Sequence, residues 1–224
     1  MIPWIRLDAV TLDDGVELRL MRRGTEFSIM LGANELMNSR LSGSEEALAT
    51  LASDRLAGRP RPRMLIGGLG MGFTLRAALK ALGGEARITV AELVPQVIDW
   101  AGGPMAPVFA GCLDDPRVAL HQGDVGELIR GGEGAWDAIL LDVDNGPDGL
   151  TRQGNDALYS ASGLAAAHRA LSPGGVFSVW SSAPDAAFTR RLKQAGFTVE
   201  EVPTRASIKK RGARHMIWVA VKAG

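Results

Sequence analysis

The stretch from Arg61 to Leu79 constrains this chain most. It reads Arg61-Pro-Arg-Met-Leu-Ile-Gly-Gly-Leu-Gly-Met-Gly-Phe-Thr-Leu-Arg-Ala-Ala-Leu79: a short apolar strand, a glycine-dense turn, then a helical pattern. Glycine adopts positive φ without strain and lets a ligand approach the backbone closely. A helix starting just beyond presents unpaired N–H groups and the positive end of its dipole to that space. Doubly wound α/β folds make nucleotide sites in this way. A plain strand-to-helix turn would account for the glycines alone; acidic residues further along favour the nucleotide reading.

The glycine spacing narrows the ligand. The dinucleotide fingerprint wants glycines at positions one, three and six. Counted from Gly68, Gly70 fits, but Phe73 holds the sixth position. The run instead alternates Gly68, Gly70 and Gly72, and it lacks the Gly-Lys-Ser/Thr ending of a phosphate-binding loop. This predicts a nucleoside ligand rather than a triphosphate.

A chain of 224 residues supports one good core with a small appendage. Lys+Arg 25 against Asp+Glu 25 gives a formal net charge of zero, which argues against nucleic acid as an electrostatic partner. The single cysteine, Cys112, leaves no disulfide framework and no cysteine metal cluster. His121, His168 and His215 share no ligand spacing, so no metal site is predicted. No membrane-spanning apolar run and no signal-peptide pattern is visible, and the expected location is cytoplasmic.

Before the glycine turn, Trp4 to Leu12, Val16 to Met21, Glu26 to Leu31 and Glu35 to Met37 alternate with turn signals at Asp13-Asp14-Gly15, Arg22-Arg23-Gly24 and Gly32-Ala33-Asn34. This is a small antiparallel meander, marginal by itself and expected to pack on the main domain or a second subunit. A helix through Glu45, Leu48, Leu51 and Leu56 follows. Ser42 or Ser44 is the expected cap, and Ser42 with Glu45 fits a capping box. Glu45 and Glu46 then read as helix-start charges, or one of them sits at the mouth of a cleft. Residues 1–60 are thus read as meander plus connecting helix, and residues 61–224 as the main domain.

In that domain Ala86 to Ala91 is the second strand, and Glu92 ends it before a helix that Leu93 begins, with Pro95 in its first turn. Glu92 lies about twenty residues beyond Gly72, where an acid can accept both hydroxyls of a ribose. Residues from Gly102 to Pro116 look irregular. Arg117 to His121 forms the third strand; Asp124 follows it, either as the cap of the helix from Val125 to Ile129 or as an acceptor for an adenine amino group. Trp136 to Leu141 is an almost unbroken apolar run, as in a central parallel strand. It ends in Asp142-Val-Asp144-Asn145-Gly-Pro147-Asp148, at the strand end where open α/β sheets bind ligands. Asp142, Asp144 and Asn145 are candidate catalytic residues, although Asp, Asn, Gly and Pro also make ordinary turns.

Asn155 to Leu171 is read as one helix, with Tyr159 near its start as a further catalytic candidate. Pro173-Gly174-Gly175 turns into the fifth strand, Val176 to Trp180. A helix runs from Pro184 or Asp185 to Gly196, and Phe197 to Val202 and Met216 to Val221 are the last two strands. Only a loop carrying Arg205, Lys209, Lys210, Arg211, Arg214 and His215 joins these two. Without a crossover helix they must be antiparallel. The fold class is therefore α/β: a Rossmann-like seven-stranded sheet with an antiparallel last strand, plus the N-terminal β segment. The basic loop is a solvated hairpin, or it meets an acidic substrate or a partner subunit.

Several segments together resemble the spermidine synthase family and, more broadly, class I methyltransferases that use S-adenosylmethionine. They are Met64-Leu-Ile-Gly-Gly-Leu-Gly-Met-Gly-Phe-Thr-Leu-Arg76, Val90-Ala-Glu-Leu-Val-Pro95, Asp115-Pro-Arg-Val118, Gly123-Asp124, Asp137-Ala-Ile-Leu-Leu-Asp142 and Leu171-Ser-Pro-Gly-Gly175. The resemblance runs from about Glu35 to Ala220. It implies an S-adenosylmethionine or decarboxylated S-adenosylmethionine site in residues 61–224. Gly68, Gly70, Met71, Gly72, Leu93, Val125 and Asp142 would surround the cofactor, Glu92 would hold its ribose, and Asp124 would hold its adenine amine. Asp142 matches the first aspartate of the family's Asp-Ser-Ser/Thr-Asp motif, which orients and deprotonates the attacking amine. Family analogy also implies a homodimer through the N-terminal strands.

Three departures stand out. Met71 occupies the place of the aspartate in the family's Gly-Gly-Gly-Asp-Gly-Gly loop, which helps hold the amine of the decarboxylated cofactor. Asn145 replaces the second aspartate of the later motif, with Asp144 beside it. Ser44-Glu45-Glu46 stands where the small domain carries Tyr-His-Glu. The leading expectation is therefore methyl transfer to a small, amine-bearing acceptor. Aminopropyl transfer to a diamine is the alternative, and an adenosyl-binding protein without catalysis is a third.

Overall fold

The computed structural model describes residues 2–143, 147, 156–207 and 212–224. Asp144, Asn145 and Asp148 lie outside these, as do Lys209, Lys210 and Arg211.

Four strands form the N-terminal sheet in the order β1-β2-β3-β4: β1 (Ile5–Thr11), β2 (Glu17–Arg23), β3 (Glu26–Leu31) and β4 (Asn34–Asn38). All neighbours are antiparallel, as the turn spacing predicts. Leu18, Leu20, Phe27 and Ile29 form its buried face and join the main core. Asp8 ties the sheet down further. Its carboxylate accepts from the Trp100 indole N–H at 2.8 Å and from the Gln96 amide at 2.6 Å.

Helix α1 (Gly43–Arg55) then crosses to the main sheet. Leu48, Ala49 and Ala52 face inward, and small residues let it lie close to α2 (Phe73–Ala81). The expected capping box is not formed. Ser42 is the N-cap residue, but its hydroxyl donates to the Glu46 carboxylate at 2.7 Å rather than capping a backbone N–H. That leaves Glu45 to turn elsewhere.

The main sheet has seven strands in the order β10-β11-β9-β8-β5-β6-β7. Parallel strands β5 (Arg63–Gly67), β6 (Arg87–Glu92), β7 (Val118–Gln122), β8 (Trp136–Leu141) and β9 (Leu171–Ser181) are followed by β10 (Phe197–Arg205) and β11 (Arg214–Lys222). β11 inserts between β9 and β10 and is antiparallel to both. β5 and β8 are buried almost throughout, because helices cover both faces of a central parallel strand. β7, at the edge, is mostly exposed.

Connecting helices are α3 (Pro95–Gly102), α4 (Ala106–Phe109), α5 (Val125–Gly131), α6 (Asp156–Tyr159), α7 (Ala161–Ala170) and α8 (Ala186–Gln194). The segment expected to be irregular after Gly102 holds α4 and a short 3₁₀ turn, Cys112–Asp114. The single helix expected from Asn155 to Leu171 is broken at Ser160. This residue is extended, and its hydroxyl accepts from the Gly163 N–H at 3.1 Å. At Gly163 a Cβ would lie 2.1 Å from the Ala157 carbonyl oxygen, so only glycine allows this close return. β9 also begins before the expected turn, at Leu171, with a register shift opposite Trp136 and Ala138. Among the described residues no helix is long and apolar enough to cross a membrane.

Candidate active site

The carboxyl ends of β5, β6, β7 and β8 open into a cavity of about 400 Å³, roofed by the N-terminal sheet. This lies within the size range of small-molecule sites. Chain direction explains the location: every parallel strand delivers its following loop to the same edge.

The glycine turn forms the floor. Gly68 has φ +92°, and a Cβ there would lie 2.4 Å from the Asp142 carbonyl oxygen. The close approach of the β5 and β8 ends thus requires glycine. Gly70 faces the cavity with Met37 packed over it. Gly72 serves differently: it is the N-cap of α2 with φ +74°, and a Cβ there would meet the Phe109 ring at 2.6 Å. It is not among the lining residues. Met71 lines the cavity and is packed into the main core.

Glu92 sits beside the turn, 8% exposed. One carboxylate oxygen accepts from the Leu69 N–H at 3.0 Å and the other from the Val94 N–H at 2.8 Å. Burial raises its pKa, and these backbone donors oppose the rise. Glu92 also lines the cavity. Leu93, Asp124 and Val125 line the same end. The capping reading of Asp124 holds: one oxygen caps α5 by accepting from Gly126 N–H at 2.7 Å, the other accepts from Arg130 at 3.2 Å, and the residue lines the cavity.

The other end is built around Asp142. Its carboxylate accepts from the Thr74 hydroxyl at 2.6 Å. Asp142 is half-buried and lines the cavity. Burial and the neighbouring Glu45 carboxylate push its pKa up to about 7, against the Thr74 hydrogen bond. Burial likewise raises Glu45, which lines the cavity too. His215 and Trp180 also line this end, and buried Ser44 contacts His215. The Ser44 hydroxyl donates to the Glu45 carboxylate at 2.7 Å and lies 2.8 Å from His215 Nδ1; the His215 ring sits edge-on to Trp180.

Asp142 and most residues expected around the cofactor therefore share one cavity. Tyr159 does not join them. It is buried in a second apolar cluster with its ring edge-on to Phe188 at 5.6 Å, a packing position away from the lining residues. Ser44, Trp180 and His215 were not singled out as site residues by sequence. Only the alignment of Ser44-Glu45-Glu46 with the small-domain motif hinted at the first.

Charge distinguishes the cavity as a whole. Glu35, Glu45, Glu92, Asp124 and Asp142 line it, whereas no lysine or arginine does among the described residues. Apolar walls come from Leu12, Leu18, Ile29, Leu31, Leu36 and Leu69. A ligand combining an apolar body with positive charge suits this surface.

No family model matches the chain. It is 35% identical over 127 residues to a polyamine aminopropyltransferase of Nitrosomonas europaea, covering 57% of this chain and 37% of that protein. A polyamine aminopropyltransferase of Mycobacterium tuberculosis is 31% identical over 194 residues, covering 82% of this chain and 35% of that protein. The chain thus spans little more than a third of these relatives. Among solved structures, a spermidine synthase from Thermotoga maritima superposes with a TM-score of 0.77 over 97% of this chain and 73% of the other, at 20% identity. At that identity the likeness establishes the fold and nothing finer.

Proposed function

We propose that this chain is a spermidine synthase-like member of the S-adenosylmethionine-dependent methyltransferase superfamily, a transferase that moves an aminopropyl group from decarboxylated S-adenosylmethionine to a small amine. One observation carries the reading: a cavity lined by five carboxylates and by no lysine or arginine among the described residues, with a carboxyl poised near neutrality at one end.

The residues fit an adenosyl sulfonium. The glycine turn permits close approach of the backbone, Glu92 offers a carboxylate to ribose hydroxyls, and Asp124 offers an acceptor for an adenine amine. The carboxylates complement a positive sulfur. When bound, the sulfonium supplies an already activated carbon, so the protein's work is alignment and proton removal. Asp142 and Glu45 would draw an ammonium into the cavity by charge. An amine must lose a proton before its nitrogen is nucleophilic, and a carboxyl with pKa about 7 is matched to accepting it at neutral pH. Thr74 fixes the Asp142 carboxylate through its hydroxyl.

Met71 favours a second reading, methyl transfer from S-adenosylmethionine, because it removes a carboxylate that would hold the donor's amine. Parallel assays with the two donors and a panel of diamines separate the two. Product formation from the decarboxylated donor is expected; methylated amine from S-adenosylmethionine alone would overturn the aminopropyl assignment.

A further inference from the structure

Three groups from two distant parts of the chain form a connected path at one end of the cavity. Glu45 and Ser44 open α1, and His215 lies on β11. The Ser44 hydroxyl is fully buried. It donates to the Glu45 carboxylate at 2.7 Å and lies 2.8 Å from His215 Nδ1. Glu45 acts electrostatically on Asp142, and Thr74 touches both: its hydroxyl donates to Asp142 at 2.6 Å and lies 3.4 Å from the Glu45 carbonyl oxygen.

We infer that Ser44 and His215 form the proton exit of the site, carrying to His215 the proton that the Glu45–Asp142 pair removes from the acceptor amine. The inference rests on the amine-transfer reading above. The proton balance closes without any further reactant. Protonated Glu45 donates to the Ser44 oxygen while the Ser44 hydrogen passes to the Nδ1 lone pair of neutral His215. The products are a carboxylate, an unchanged hydroxyl and an imidazolium, which returns its proton to water. A hydroxyl is suited to this because it donates and accepts at once. With Glu45 ionised, Ser44 must donate to it and Nδ1–H must donate to Ser44. The direction of the whole chain therefore reverses with the charge on Glu45.

The surroundings keep His215 able to accept. Burial holds its pKa below the ordinary value. Trp180 from β9 is an uncharged neighbour, while Arg214 precedes it and Arg205 stands opposite Arg214 on β10. From α1 it meets Ser44, which Glu45 and Glu46 follow in the chain. A purely structural tie would need neither a titrating ring nor a hydroxyl aimed at a carboxylate inside the ligand cavity.

The test uses the full chain with decarboxylated S-adenosylmethionine and a diamine. In His215→Ala, kcat should fall by about 10²-fold, the acceptor KM should stay near wild type, and added imidazole should restore turnover. In Ser44→Ala the same loss should appear without rescue, because the path is cut before the ring. His215→Asn keeps a donor near the Nδ1 position but has no basic nitrogen, so it should be as slow as the alanine variant. Full activity in His215→Asn, or wild-type kcat in Ser44→Ala, would overturn the relay while leaving the transfer reading intact. If wild-type protein forms no aminopropyl product, the transfer reading fails and the relay falls with it.

Discussion

Strand β8 carries an aspartate at each end, and their fates are opposite. Asp137 lies near its start. There Arg59 pairs with it at 2.7 Å, the Ser172 hydroxyl donates at 2.6 Å and the Arg63 N–H donates at 2.8 Å. Burial works against its charge, but the Ser172 and Arg63 hydrogen bonds outweigh it and hold its pKa below the ordinary value. Asp142 follows the strand's end. Among the described residues no cation pairs with it, and burial, then repulsion from Glu45, raises its pKa to about 7. Both carboxyls are largely enclosed, so enclosure alone does not make a reactive acid. Partners decide: a satisfied carboxylate stabilises the fold, and an unsatisfied one is left to act on a ligand.

The comparison is most severely tested by Asp142→Asn. Turnover should fall at least about 10²-fold, while calorimetry should find adenosyl-product affinity near wild type. The same variant should be more stable than wild type in the ligand-free state at pH 8, since an uncompensated buried charge is gone. Unchanged turnover would remove Asp142 from the chemistry.

Asp137→Ala should behave in the reverse sense. Losing the hydrogen bonds from Ser172, Arg59 and the Arg63 N–H should cost about 2 kcal/mol of unfolding free energy. The site itself should be spared, so turnover of the folded fraction is expected to persist. Denaturant titration with activity measured in parallel checks both halves.

The pH dependence of stability sharpens the contrast. Asp142 is raised in the folded state, so between its ordinary value and about 7 the folded protein binds more protons than the unfolded chain. Ligand-free stability should therefore fall as pH rises through that window, by at most about 1.4 kcal/mol per pH unit from this group. Glu45, also raised, adds in the same direction. Asp137, lowered, contributes stability that is lost only as pH drops below the ordinary carboxylate value. Asp142→Asn should flatten the first slope and leave the second; a wild-type profile rising from pH 5 to 7 would contradict the assignment.

The smallest contrast concerns capping. Asp124 caps α5, so Asp124→Ala should cost about 1 kcal/mol and weaken adenosyl-product binding as well. Ser42 occupies an N-cap position without capping, and Ser42→Ala should change stability by less than about 0.5 kcal/mol.

The end of the cavity built from the glycine turn, Glu92 and Asp124 was legible because each of its parts is local. Gly68 and Gly70 follow β5, Glu92 ends β6, and Asp124 lies two residues beyond β7. In a parallel sheet all such junctions fall on one edge, so strand order and residue type suffice to gather them. Asp142 belongs to the same set. The roles of Glu45 and Tyr159 were not fixed by such logic. A glutamate in a first helical turn looks like dipole compensation, and a tyrosine near a helix start looks accessible. The packing of α1 against α2 turned Glu45 into the cavity, and the break at Ser160 set Tyr159 against Phe188.

The sequence alone determined the α/β class, the antiparallel finish and the glycine-floored end of the cavity, because these depend on periodicity, glycine geometry and the ends of consecutive strands. Tertiary structure decided the rest. Ser44 and His215 stand 171 positions apart. They meet because β11 inserts beside β9 while α1 lies across the sheet, a juxtaposition that no local pattern encodes. Asp142 likewise owes its raised pKa first to burial in the assembled fold and then to Glu45, a neighbour in space far from it in the chain.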